Sequence, residues 1–94
     1  MIIELKKFGK VLTSRESGRE ARAAFLPTLK SLKTDEKIEI DFQGVSVLTP
    51  SWADEFITPL EQDYKDNTVF LNTDNPSIKV TLNFLRNLER EAKS

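Results

Sequence analysis

The chain has 94 residues, of which 14 are basic and 15 acidic, for a formal net charge of −1, and it contains no cysteine and no histidine. This balance argues against nucleic-acid binding by phosphate neutralisation and against a polybasic membrane anchor. The two absent residue types remove disulfides, thiol nucleophiles and the commonest general base and metal ligand. No apolar run approaches the roughly 20 residues that span a bilayer, and a long apolar signal segment is missing. We therefore expect one cytoplasmic, non-enzymatic domain over residues 1–94, without cofactor or metal.

The first third of the chain predicts a strand followed by a helix. The apolar residues between positions 2 and 12 suggest one strand with a bulge at Gly9, or alternatively a short hairpin. Two capping-box patterns, each a hydroxyl residue followed by a glutamate one turn later, place the start of the helix between Ser14 and Gly18. Pro27 lies inside this helix and is expected to kink it. The apolar face of the helix is predicted to comprise Ala21, Ala24, Phe25, Leu29 and Leu32.

The middle of the chain predicts a strand, a short loop and a second helix. Ile38, Ile40 and Phe42 alternate with acidic residues, which is the period-two pattern of a half-buried strand. Pro50 suits the first position of a helix because its missing N–H would have had no intrahelical partner there. The second helix is therefore expected to run from about Pro50 to Tyr64.

A third strand and a third helix complete the pattern. Residues 69–71 form a nearly continuous apolar run, which is typical of a parallel strand covered on both faces. The order β-α-β-α-β-α predicts an α/β fold with a small, mainly parallel sheet, right-handed crossovers and helices packed against the sheet. The inward face of the last helix is predicted to comprise Ile78, Leu82, Leu85 and Leu88.

The strand-to-helix loops of such a sheet meet at one edge. These loops, at residues 13–18, 44–51 and 72–77, follow the carboxyl ends of the strands, and we call the place where they meet the carboxyl edge. Open α/β folds bind their ligands at this edge. The sequence therefore predicts that any functional site lies there.

Three segments of the chain resemble the STAS domains, the fold of the bacterial anti-sigma factor antagonists, and more closely the STAS-like domains of unassigned function. Residues 8–12 (FGKVL) resemble the glycine-bearing strand before the first STAS helix, and residues 38–45 (IEIDFQGV) resemble the apolar strand that ends in aspartate. Residues 47–52 (VLTPSW) occupy the position of the Asp-Ser-Ser-Gly motif. The segment from Ser51 to Glu55 is similar to one that recurs in the STAS-like group. The resemblance implies a STAS-like fold over nearly the whole chain.

The resemblance also implies a phosphoacceptor. In the antagonists a partner kinase phosphorylates the second serine of the motif and so releases the antagonist from its complex, and that serine corresponds to Ser51. The other motif positions differ, because Thr49, Pro50 and Trp52 stand where the motif has aspartate, serine and glycine. The alternative reading of Ser51 is a helix-capping or first-turn residue. Thr49 is a second candidate for either role.

The remaining candidate residues predict a partner-binding surface around Ser51. Trp52 is expected at the carboxyl edge, either partly buried in the core or as the anchor of an interface. Asp54 and Glu55 follow it. Arg15, Arg19 and Arg22 fall near one another on the first helix and are expected to bind a phosphate or an acidic partner, unless they form a solvated helix face.

We accordingly predict a regulatory protein-interaction module that resembles an anti-sigma factor antagonist. Its expected partner is a protein, namely an anti-sigma-type serine kinase that binds ATP. We expect the module to bind neither nucleic acid nor a membrane. The alternative function is a small-ligand or nucleotide sensor that uses the same carboxyl-edge loops. A nucleotide-binding motif is not visible, so the alternative depends on fold analogy.

Overall fold

The computed structural model describes residues 1–33 and 35–93, so Thr34 and Ser94, which the predicted domain includes, lie outside the described residues. Within that range three longer strands alternate with three helices, which confirms the predicted α/β order and a STAS-like arrangement. The elements are β1 (Ile2–Glu4), β2 (Val11–Leu12), α1 (Arg15–Leu29), β3 (Ile38–Asp41), β4 (Val47–Leu48), α2 (Pro50–Tyr64), β5 (Thr68–Leu71) and α3 (Pro76–Lys93), with short 3₁₀ helices over Leu5–Phe8 and Lys65–Asn67.

The described strands form two small parallel sheets. The main sheet has the order β1-β3-β5, with Ile40 of β3 opposite Ile3 on one side and Phe70 on the other. The second sheet joins β2 to β4, with Leu12 opposite Leu48. Both sheets are parallel, as the alternation of strands and helices predicts. All five of these residues are buried or partly buried against the core.

The first strand differs from the prediction. Residues 2–12 form neither one bulged strand nor a hairpin, because a 3₁₀ helix over Leu5–Phe8 separates β1 from β2. The Leu5 side chain is fully buried, and the Gly9 N–H donates to the carbonyl of Lys6, which closes the turn. The interruption lets β2 leave the main sheet and pair with β4 instead.

The prediction that the third strand is covered on both faces is wrong. The central strand of the main sheet is β3, whose Ile38 and Ile40 are fully buried, whereas β5 lies at an edge. Val69 of β5 is 40% exposed, and Phe70 and Leu71 are only half-buried. Because successive side chains of a strand lie on opposite faces, the exposure of Val69 shows that the face opposite Thr68 and Phe70 is open to solvent at this strand.

Helix α1 begins where the sequence predicts. Its N-cap is Ser14, whose hydroxyl accepts a hydrogen bond from the Ser17 N–H at 3.0 Å, and Pro27 lies inside the helix, which continues to Leu29. Ala21 and Leu29 face the core as expected, but Ala24 is exposed. The core-facing stripe of α1 is therefore narrower than predicted.

Helix α3 covers the free edge of β4 with hydroxyl groups. Leu48 donates its N–H to the Ser77 hydroxyl at 3.1 Å, and its carbonyl accepts hydrogen bonds from the hydroxyls of Ser77 and Thr81. Of the four residues predicted to face inward, Ile78 and Leu82 are buried and Leu85 is partly buried, whereas Leu88 is 45% exposed. None of the helices formed by the described residues has the combination of length and apolar composition that crossing a bilayer requires.

Removal of the buried Thr81 hydroxyl is expected to destabilise the domain. Thr81 is 2% exposed, and Thr81→Val keeps its shape while the Leu48 carbonyl loses a donor, so the free energy of unfolding should fall by about 1–2 kcal/mol. Urea unfolding followed by tryptophan fluorescence measures the change. Thr81→Ser keeps the hydroxyl and is the control. A Thr81→Val protein as stable as the wild type would show that this hydrogen bond contributes nothing.

Candidate functional site

Hydrogen bonds hold the three loops of the carboxyl edge together. The Thr49 hydroxyl donates to the carbonyl of Thr13 at 2.7 Å and so joins the second loop to the first. The side-chain amide of Asn75 donates to the carbonyls of Val45 at 3.3 Å and Ser46 at 3.0 Å, which joins the third loop to the second. The sequence placed these loops at one edge, and side-chain hydrogen bonds fix them there.

Asp41, at the end of β3, stabilises the same edge. Its carboxylate accepts hydrogen bonds from the side-chain amide of Asn72 at 2.7 Å and from the backbone N–H of Gln43 at 3.0 Å. The Asn72 hydrogen bond, followed by that of Gln43, holds the pKa of Asp41 below its ordinary value. Asn72 itself has a φ of 59°, a left-handed conformation that asparagine tolerates well. These two hydrogen bonds fix the carboxylate at the end of β3, so the role of Asp41 is to stabilise the carboxyl edge.

Ser51 is the second residue of α2 and is half-buried. Thr49 immediately precedes the helix, and its carbonyl accepts the hydrogen bond of the Ala53 N–H at 3.1 Å. The Thr49 hydroxyl is already bonded to Thr13, so modification of that hydroxyl would break a contact between loops. Of the two phosphoacceptor candidates, Ser51 is the one whose hydroxyl forms no hydrogen bond with any described residue.

The predicted arginines and carboxylates meet between α1 and α2. One Nη atom of Arg15 lies 3.1 Å from a carboxylate oxygen of Asp54 and 2.9 Å from one of Glu55. Arg19, one turn further along α1, contacts the same Glu55 oxygen at 3.5 Å. We call these four residues the charged cluster. Because residues three and four positions apart share a helix face, Ser51 lies on the same side of α2 as Asp54 and Glu55.

Trp52 lies inside the domain, so of its two predicted roles the interface anchor is wrong, and its burial in the core is complete where the sequence predicted it to be partial. The side chain is 0% exposed. Its ring stacks on Phe56, with centroids 5.1 Å apart, and a tilted contact joins it to Phe8 at 6.1 Å. The indole Nε1 is buried and has no hydrogen-bond partner among the described residues. The reason for its burial is the helical spacing of Trp52, Phe56 and Leu60, which puts the indole on the core face of α2.

Gly18 determines how closely α1 packs against α2. The sequence analysis used this residue only to locate the start of α1. A Cβ atom at this position would lie 2.7 Å from the backbone oxygen of Trp52 and 3.2 Å from the Cβ of Glu55. Only glycine therefore lets α1 approach α2 closely enough for Arg15 and Arg19 to reach Glu55. The available signal was an isolated glycine inside a helical pattern, which often marks close packing.

The family model described as STAS-like domain of unknown function (DUF4325) matches residues 20–77 of the chain. The chain belongs to this STAS-like family. Comparisons with curated proteins and with solved structures find no match. The matched part of the STAS-like domain contains Ser51, Asp54 and Glu55, whereas Arg15 and Arg19 precede it.

The ion pair between Arg15 and Glu55 of the STAS-like domain changes the pKa of both residues. The pKa of Glu55 is held below its ordinary value, first by the hydrogen bond from Arg15 and then by that from Arg19, while the pKa of Arg15 is raised by Glu55 and Asp54. A carboxylate with a lowered pKa in the folded state stabilises that state above its unfolded pKa. This contribution is lost as the pH falls through the lowered folded value.

The charged cluster therefore predicts a specific change in acid stability. In the wild type, the free energy of unfolding should fall as the pH drops below the ordinary Glu pKa of 4.5. Arg15→Gln should reduce that fall, because Glu55 would then titrate closer to its unfolded value. Urea unfolding across the acid range tests this, with Arg86→Gln on the exposed surface of α3 as the control. Identical pH profiles for Arg15→Gln and the wild type would contradict it.

Proposed function

We propose that this STAS-like domain is a non-enzymatic regulatory module that binds a protein partner through Ser51 and the charged cluster. The observation that carries the proposal is the grouping of Arg15, Arg19, Asp54 and Glu55 on the N-terminal ends of two adjacent helices, beside a half-buried serine. The sequence analysis already groups these residues around Ser51, and the four charged side chains form ion pairs with one another. No partner role is assigned to Trp52, because its side chain is buried.

The exposure and charge of the cluster suit reversible protein recognition. The side chains of Arg15, Arg19 and Asp54 are 49%, 68% and 38% exposed, so each can exchange its present ion pair for one with a partner. Exposed ion pairs of this kind contribute little to folding stability. They contribute strongly to partner choice and to the rate of association. Two cations and two anions side by side favour a partner with an equally mixed charge pattern.

A phosphate on Ser51 would change that charge pattern. It would add about 1.5 to 2 negative charges at the start of α2, where the helix dipole favours them. Asp54 and Glu55 would repel the new charge, and Arg15 would be attracted away from them. A partner matched to the unmodified surface would then bind more weakly, which is the switch that the STAS resemblance implies.

The proposed partner is a serine kinase of the anti-sigma type that binds ATP. The support for this class is the position of Ser51 in the segment that resembles the antagonist motif. Membership of the STAS-like family supports the fold on which the motif depends. The kinase would transfer the terminal phosphoryl group of ATP to the Ser51 oxygen, releasing ADP and the hydroxyl proton.

Intact-mass measurement tests this proposal. The domain is incubated with ATP and a kinase of this type, and the wild type should gain the mass of one phosphate while Ser51→Ala gains none. Ser46→Ala, which removes an exposed serine from the same loop, is the control and should be modified like the wild type. A domain that stays unmodified, or a phosphate that persists in Ser51→Ala, would contradict the proposal.

The alternative function, sensing of a small ligand or nucleotide at the carboxyl edge, stays a prediction. A cavity between α1 and α2 lies towards the other ends of these helices and does not support it. A thermal-shift screen with nucleotides and anions distinguishes the two functions, because a ligand stabilises the folded state that binds it.

A further inference from the structure

Helices α1 and α2 separate towards their C-terminal ends and leave an apolar cavity between them. Near the N-terminal ends Gly18 brings the helices into contact. Further along both helices the cavity opens, with a volume of about 70 Å³. Leu26, at its mouth, is 37% exposed, so a side chain of another molecule can enter. The apolar lining comprises Phe25, Leu26, Leu29, Phe56 and Leu60, with Tyr64 at one end.

The size of the cavity limits what can occupy it. Pockets for cofactors and drug-sized ligands have volumes of roughly 300–1,000 Å³. A space of about 70 Å³ is also only about half of the roughly 150 Å³ cavity that binds benzene, so it admits at most one aliphatic side chain of about the size of leucine. Interfaces in which one apolar side chain fills such a pocket concentrate much of their binding energy there.

The charges at the mouth determine the chemistry of the occupant. Arg22 of α1 and Lys30, the C-cap residue of that helix, line the cavity, and Asp63 lines it from α2. In contrast to Arg15 and Arg19, neither Arg22 nor Lys30 forms an ion pair with any described residue. Among the side chains that the structure describes, the mouth thus carries two cations without an ion pair against one carboxylate. Its excess positive charge complements an acidic ligand.

We propose that this cavity is a second docking site, which receives one large apolar side chain from a short acidic segment of a partner protein. The apolar side chain fills the space between the helices, and flanking carboxylates pair with Arg22 and Lys30. The site lies at the opposite ends of α1 and α2 from Ser51. Its ligand would contact neither Ser51 nor the residues of the charged cluster.

Three end-blocked tripeptides test the proposal by titration into isotope-labelled domain, with backbone amide shifts as the signal. Glu-Leu-Glu supplies both features of the ligand, Gln-Leu-Gln removes the charges and Glu-Ala-Glu removes the large side chain. Glu-Leu-Glu should shift amides around Phe25, Leu29 and Leu60, with a dissociation constant on the order of millimolar. Gln-Leu-Gln should bind about fivefold more weakly. Glu-Ala-Glu should cause no saturable shifts.

Variants separate the charge contribution from the fold. Arg22→Gln or Lys30→Gln should reduce the preference for Glu-Leu-Glu over Gln-Leu-Gln, whereas Arg86→Gln on α3 should preserve it. The unperturbed spectrum of each variant reports whether it is folded, and the exposed Lys30 offers the safer substitution.

Several results would overturn the proposal. One is the absence of amide shifts around the cavity, and another is equal affinity for the acidic and the neutral tripeptide. A third is that N-acetyl-leucine binds as tightly as Glu-Leu-Glu, because the ligand of the cavity would then be a free small acid. Shifts of the same amides with protein concentration alone would indicate a second copy of the domain as the occupant and would equally overturn it.

Discussion

Replacement of Trp52 by alanine is expected to lower the free energy of unfolding by about 4 kcal/mol. The indole is fully buried and contacts Phe8 and Phe56, so its removal leaves a large cavity at the point where α1, α2 and the first 3₁₀ helix meet. A domain of this size is stable by only about 5–15 kcal/mol, so this substitution should remove a large share of its stability and lower both the unfolding temperature and the urea midpoint. Thermal or urea unfolding followed by far-UV circular dichroism measures the loss.

Trp52→Phe is the matched variant. It keeps the aromatic packing with Phe56 and removes the indole N–H, which is buried without a partner among the described residues. Loss of that unsatisfied group offsets most of the lost volume, so the stability should stay within about 1 kcal/mol of the wild type. If Trp52→Ala were as stable as Trp52→Phe, the indole would not be a core residue.

Gly18→Ala is expected to destabilise the domain by about 2 kcal/mol, although alanine is the better helix former. The added Cβ would meet the Trp52 backbone oxygen at 2.7 Å, and a backbone atom moves only if the helix moves with it. Separation of α1 from α2 would also lengthen the contacts of Arg15 and Arg19 with Glu55. Urea unfolding gives the change in stability.

Ala24→Gly provides the control for helix propensity. Ala24 is exposed on the same helix, so its replacement by glycine should cost about 1 kcal/mol through propensity alone. If helix propensity dominated at position 18, Gly18→Ala would raise the free energy of unfolding and Ala24→Gly would lower it. The close approach of the helices predicts that both destabilise, with the larger effect at Gly18. A stabilised Gly18→Ala protein would contradict the observed helix contact.

Local signals in the sequence predicted the order of the elements. Two capping-box patterns bracketed the start of α1 between Ser14 and Gly18, and Pro50 marked the start of α2, because both features act within one helical turn. Alternation of Ile38 and Ile40 with acidic residues identified β3. These interactions involve residues close in sequence, so the sequence alone contains them.

The errors concern neighbours that are distant in sequence. The apolar run of β5 does not reveal that the strand lies at an edge, because strand order depends on the crossovers. The split between β1 and β2 follows from the pairing of β2 with β4, more than thirty residues away. The Trp52 side chain lies on the core-facing side of α2. Its helical spacing from Phe56 and Leu60 therefore predicted its burial better than its proximity to a loop did.

The charged cluster could be predicted only in part from the sequence. Sequence reasoning selected Arg15, Arg19, Asp54 and Glu55 from their helices, but their pairing depends on the contact of α1 with α2 at Gly18. A glycine in a helix has several explanations, and only the packing of the two helices decides among them. The predicted residues were therefore correctly grouped, while their geometry required the structure.

The most direct test of the account compares the affinity of the kinase partner for Ser51→Ala and Ser51→Asp, measured by isothermal titration. Ser51→Asp should bind at least about tenfold more weakly than Ser51→Ala, which is a difference of about 1.4 kcal/mol in binding free energy, because it adds negative charge beside Asp54 and Glu55. Asn83→Asp adds the same charge on the exposed surface of α3, away from both proposed binding sites, and should bind like the wild type. Equal affinities for Ser51→Ala and Ser51→Asp would contradict the claim that Ser51 controls partner binding.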